Sequence, residues 1–69
     1  MPLSARNQLK GTVTSLRTDG IMAEVVVDIG GGQEMVSVIT RGSAEALALS
    51  VGSSVTVVVK ATEVLLATT

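Results

Sequence analysis

The chain has 69 residues, 46% of them hydrophobic and 16% charged, a net charge of −1, and no cysteine, histidine or aromatic residue. That length holds one domain, and the missing residue types exclude disulfides and the common zinc, copper and haem centres, leaving only carboxylates as cation ligands. Without an aromatic ring there is no stacking platform for nucleic-acid bases, and the five cations, Arg6, Lys10, Arg17, Arg41 and Lys60, form no basic run.

A domain this short buries only about 60% of the surface its unfolded chain exposes, so it needs outside support. With disulfides and metals excluded, that support is expected from oligomerisation, and the apolar excess is expected to face sister subunits. The longest uncharged apolar run falls far short of the roughly 20 residues that cross a bilayer, and no basic stretch leads into a hydrophobic core. A soluble, cytoplasmic protein is expected, with no membrane partner.

The 12 valines, with isoleucine and threonine beside them, suit pleated strands better than helix. A first strand is predicted over Leu9 to Leu16, ending at Thr18, Asp19 and Gly20, where Asp-Gly supplies the positive φ of a tight hairpin. A second runs from Ile21 to Ile29, with Ile21, Ala23, Val25, Val27 and Ile29 on the core face and Glu24 and Asp28 opposite. Gly30, Gly31 and Gly32 turn the chain into a third strand, Gln33 to Thr40, apolar on both faces, a two-sided burial that points to a subunit interface.

Ser43 is expected to cap a helix of about two turns through Ala44 to Leu49, with Glu45 near its positive end, stopped by Gly52. Two last strands, Ser54 to Lys60 and Thr62 to Ala67, are separated by little more than Ala61. The resulting fold class is all-β: a five-stranded OB-like barrel with one short helix, its subunits assembled into an oligomer. Residues 1–69 form one domain in this reading.

No histidine or cysteine is present to act as base or nucleophile, and no Ser-x-x-Lys spacing appears, so an enzyme is not expected. The carboxylates fall at strand-alternating positions of a solvated face, and none is expected to ligate a cation directly. The triple glycine lacks the Lys-Ser or Lys-Thr and the following helix of a phosphate loop, so it reads as a turn. The segment Ser4-Ala5-Arg6-Asn7-Gln8 is rich in donors. Taken singly, it reads as a polar tail, Lys60 as a lysine leaving a buried strand for water, and Ser43 as a helix cap.

Together these segments resemble the molbindin (Mop) family: Ser4-Ala5-Arg6-Asn7-Gln8-Leu9-Lys10-Gly11, then Ile39-Thr40 with Ser43, then Lys60-Ala61-Thr62-Glu63-Val64. The resemblance spans essentially the whole chain, and its specific part is the eight-residue N-terminal run. It implies a free-standing Mop/TOBE-type domain that binds and stores molybdate or tungstate, with no further cofactor. The implied oxyanion site lies between subunits and uses Ser4, the Ala5 N–H, Arg6, Ser43, Lys60 and the Ala61 N–H. The implied assembly is a homo-oligomer, a hexamer built as a trimer of dimers.

A fully deprotonated dianion only accepts hydrogen bonds, so a site made of donors suits it. Phosphate, which often keeps a proton near neutral pH, meets a group it cannot satisfy there, and sulfate has to be excluded by size. Two residues depart from the family pattern: Ala48 replaces a common glycine, a change expected to be harmless, and Met22 is bulky near the second hairpin, where further anion sites would lie. Three other readings are a carrier of the molybdopterin cofactor, a structural oligomerisation module without a ligand, and a nucleic-acid-binding barrel. The first lacks a ring to stack on a pterin, and the last lacks a basic face.

Overall fold

The computed structural model of the protein describes residues 3–69. In chain order it has β1 (Asn7–Asp19), β2 (Met22–Gly30), β3 (Gln33–Thr40), α1 (Arg41–Ala46), β4 (Ser54–Val59) and a 3₁₀ turn over Ala61–Glu63. The four strands form one antiparallel sheet in the order β3-β2-β1-β4. Its two edges, β3 and β4, are not paired with each other, so the sheet is open where a closed five-stranded barrel was expected.

β1 organises the molecule because it pairs on both sides. Its first half, Asn7 to Thr12, lies against β4, with Asn7 opposite Val59, and its second half, Thr12 to Asp19, lies against β2. The strand changes partners at Gly11, where a Cβ would stand 2.5 Å from the Asp28 carbonyl oxygen and 2.6 Å from Val27 Cγ1. Only glycine permits that approach. A register shift between Val13 and Ser15 follows, so the inward face passes from odd Val13 to even Leu16.

Both hairpins form where the glycines predicted them. Asp19 pairs with Met22 across a loop of Gly20 (φ 58°) and Ile21, while Gly30 pairs with Gln33 across Gly31 (φ 64°) and Gly32 (φ 76°). The second hairpin has the two successive positive φ values of one kind of two-residue turn matched to strand twist, and the first has one, at Gly20. Asp28 Oδ1 accepts the Gly30 N–H at 2.8 Å and fixes the entry to that turn.

The core consists of Val13, Val25 and Val27, with Leu16, Ile29, Ile39, Leu49, Val55 and Val57 packed around them. The alternation of β2 places Ala23, Val25 and Val27 inward as expected, but Ile21 sits in the hairpin loop and is exposed. Within one chain β3 is covered on one face only: Met35, Ser37 and Ile39 are half-buried, while Val36 and Val38 are 62% and 61% exposed. The sheet covers only the first of these faces.

The helix has the six residues predicted but begins three positions earlier, at Arg41, and its cap is Thr40, not Ser43. Thr40 keeps an extended backbone and its hydroxyl accepts the Ser43 N–H at 3.1 Å, so Ser43 lies inside the first turn. Glu45 pairs with Arg41 at 3.3 Å along the exposed helix surface, a contact that water screens. Gly52 is not the stop. The chain leaves the helix at Ala48, whose φ is 53°, while Ala48 N–H donates to the Glu45 carbonyl and Leu49 N–H to the Ala44 carbonyl. These two bonds and the left-handed residue form a Schellman ending, with buried Ala44 at one end of the closing pair and Leu49 at the other.

Thr62 to Ala67 does not form a fifth strand within this chain. One residue between Lys60 and Thr62 is too few for a hairpin, and the chain instead makes a 3₁₀ turn closed by Glu63 N–H to the Lys60 carbonyl. Beyond it the tail is exposed, with Leu65 at 90% and Leu66 at 93%.

Candidate functional site

The ladder between β1 and β4 brings residues 6 and 60 side by side. Because Asn7 is opposite Val59, the polar segment before β1 and the turn after β4 leave the sheet at the same corner. They enclose an open groove of about 560 Å³ lined by Ser4, Ala5, Arg6, Asn7, Lys60, Ala61 and Thr62. Five of the six predicted oxyanion-site residues are therefore neighbours within one chain. Ser4, Arg6, Lys60 and Ala61 are exposed and Ala5 is half-buried, so the groove is open to a second body.

Local structure holds these groups in place. Gln8 Nε2 donates to the Ala5 carbonyl at 2.9 Å, tying the N-terminal segment to the start of β1. Lys60 caps the 3₁₀ turn with an extended backbone, which makes Ala61 its first residue. A first-position N–H has no acceptor inside such a turn and is left to point outward.

The electrostatics favour an anion. The groove is lined by two cations and no carboxylate, and the one ion pair among the described residues is Arg41 with Glu45, elsewhere on the molecule. A larger concavity of about 660 Å³ lies at the bend of β1, between Lys10, Thr12, Asp28, Ser54 and Thr56. There a single lysine faces an aspartate, so the positive charge is offset. No group of three or more carboxylates that could hold a metal ion is found among the described residues.

Ser43 is not part of the groove. α1 begins where Arg41 N–H donates to the Ile21 carbonyl at 2.7 Å, next to the hairpin at the far end of β1 from Asn7. The N–H of Ser43 is already bound to Thr40 and is not free for an anion, which leaves the hydroxyl as its donor. A six-residue helix also has little dipole to offer. What sequence reasoning missed is Thr40, which binds both the N–H and the hydroxyl of Ser43. Its signal was the Thr-x-x-Ser spacing at the close of a strand.

Residues 3–66 match the TOBE domain family. Over 66 residues the chain is 46% identical to molybdenum-pterin-binding protein 1 of Clostridium pasteurianum, covering 96% of this chain and 97% of that protein. The solved structure of a molybdate-binding protein from Sporomusa ovata superposes with a TM-score of 0.92 at 40% identity, over 99% of this chain and 100% of the other. The cytoplasmic molybdate-binding protein ModG, solved with molybdate bound, gives a TM-score of 0.84 at 41% identity, over 88% of this chain and 43% of that longer one.

Proposed function

The chain belongs to the TOBE-domain family as a Mop-type member, and from that premise we propose that it binds molybdate in the groove formed by Ser4, Ala5, Arg6, Lys60 and Ala61. The observation that carries this reading is that Arg6 and Lys60, just beyond the Asn7–Val59 rung of the β1–β4 ladder, line one groove without a carboxylate. Donors from a hydroxyl, a guanidinium, an ammonium and two backbone N–H groups meet the acceptor-only surface of a tetrahedral dianion. Tungstate, of nearly the same size and charge, binds with it. Binding, not chemistry, is the activity.

The sixth donor, Ser43, comes from another copy, since within one chain it lies at the opposite end of β1. The site is thus shared across a homo-oligomer, a hexamer arranged as a trimer of dimers. Exposed Leu65 and Leu66 and the bare face of β3 supply its apolar contacts, and the tail takes the fifth-strand position in a neighbour. The protein acts as a single storage domain for the oxyanion in the cytoplasm. No helix among the described residues is long and apolar enough to cross a membrane.

Isothermal titration calorimetry with molybdate, tungstate, sulfate and phosphate at equal ionic strength tests the proposal. Saturable heat with the first two alone supports it, and no binding of either, checked by equilibrium dialysis, overturns it. The name of the Clostridium relative favours a second reading, carriage of a pterin-bound metal. With no aromatic residue to stack on a pterin, the free oxyanion should displace nothing less than the whole ligand in competition, whereas a true pterin site should resist it.

A further inference from the structure

We infer that Thr40 is a positioning residue that fixes Ser43 as a hydrogen-bond donor and so helps the site discriminate between bare and protonated oxyanions, an inference that rests on the assignment of Ser43 to the oxyanion site. Thr40 is held at the end of β3 by its ladder pairing with Met22. Its Oγ1 accepts the Ser43 N–H at 3.1 Å and donates its own proton to Ser43 Oγ at 2.7 Å. The only proton of the threonine hydroxyl is therefore committed to the serine.

A serine hydroxyl on its own serves either as donor or as acceptor, since it carries one proton and two lone pairs and rotates to suit its partner. Here one lone pair is filled by Thr40, and the serine proton cannot return along the same contact. That proton is left for another acceptor, and the first turn of α1 that carries it is exposed. The backbone N–H entering Thr40 Oγ1 polarises the chain of bonds and strengthens the final donor. A bare oxyanion oxygen accepts that proton, whereas a hydrogen phosphate that brings its own proton finds one of the two acceptor positions on Ser43 Oγ already filled and so gains less there.

The test is a double-mutant cycle on the full chain, using Thr40→Val, Thr40→Ser, Ser43→Ala and Thr40→Val/Ser43→Ala, with molybdate affinity from calorimetry and phosphate measured as a competitor. Thr40→Val should weaken molybdate about 5- to 10-fold, the loss of roughly one hydrogen bond, and should raise the relative competition by phosphate several-fold. Thr40→Ser should keep wild-type values for both, and Thr40→Val should have no further effect once Ser43 is alanine. Circular dichroism and sedimentation of each variant identify any that loses the fold or the assembly, and Thr40→Ser keeps the cap in any case. The inference is overturned if Thr40→Val leaves affinity and competition unchanged, if it weakens every anion equally, or if its effect persists in the Ser43→Ala background. Failure of the wild-type chain to bind molybdate at all would overturn the proposed function first, and this inference with it.

Discussion

Ala48 holds a left-handed backbone, φ 53°, at the point where α1 must end, and its Cβ is the reason that conformation costs free energy. The departure from glycine is therefore tolerated but not free. Ala48→Gly should stabilise the protein by about 1 kcal/mol, read from chemical denaturation at fixed protein concentration, because glycine relieves the strain while the Schellman bonds remain. Gly11 is the converse case. Gly11→Ala places a methyl 2.5 Å from a backbone carbonyl that cannot swing aside, and it should destabilise the fold by about 2 to 3 kcal/mol in the same measurement. Arg6 faces no carboxylate in the groove, so Arg6→Ala should abolish molybdate binding in calorimetry while leaving the oligomer intact by sedimentation. Dissociation without a loss of binding would instead point to interface ion pairs with Glu24, Glu45 or Glu63.

Among the elements, the tail following the 3₁₀ turn is the one that a single chain does not explain. Leu65 and Leu66 are 90% and 93% exposed, more apolar surface than a solitary small domain keeps. The double substitution Leu65→Ser/Leu66→Ser should shift the sedimentation profile toward smaller species, with the β-sheet signal in circular dichroism retained. The hairpins were legible in the sequence because Asp19-Gly20 and Gly30-Gly31-Gly32 leave few other turn geometries, and the core face of β2 was legible from its alternation. The fifth strand does not form within the chain because an apolar run such as Val64 to Ala67 says nothing of whether a neighbour exists to pair with. The cap was misread because Thr40 and Ser43 are both good capping types three residues apart, and only backbone geometry decides between them. Five of the six predicted site residues line one groove, since the ladder register converts residues far apart in the chain into neighbours. The separate location of Ser43 depends on packing that no local pattern encodes.

For the whole molecule, a ligand that binds the folded assembly and not the unfolded chain shifts the folding equilibrium by mass action. Molybdate at about 100 times its dissociation constant should add roughly 2.7 kcal/mol of stability per independent site, while sulfate at the same ionic strength should add none. Thermal or chemical denaturation at several molybdate concentrations checks this, and the proposed homo-oligomer predicts a melting temperature that also rises with protein concentration.

β1 meets β2 through a two-residue turn, but it meets β4 only after almost the entire chain has intervened, with Asn7 opposite Val59. Closing that ladder is the slow, entropically costly contact of the fold, and Arg6 and Lys60 lie just beyond its last rung. The proposed anion groove is therefore expected to be the last feature to appear as the chain folds and the first to vanish when the corner frays. A bound oxyanion acts as a clasp on that corner, and in hydrogen exchange its mark should be slowed amides from Asn7 to Thr12 and from Ser54 to Val59, with the β2–β3 hairpin hardly altered.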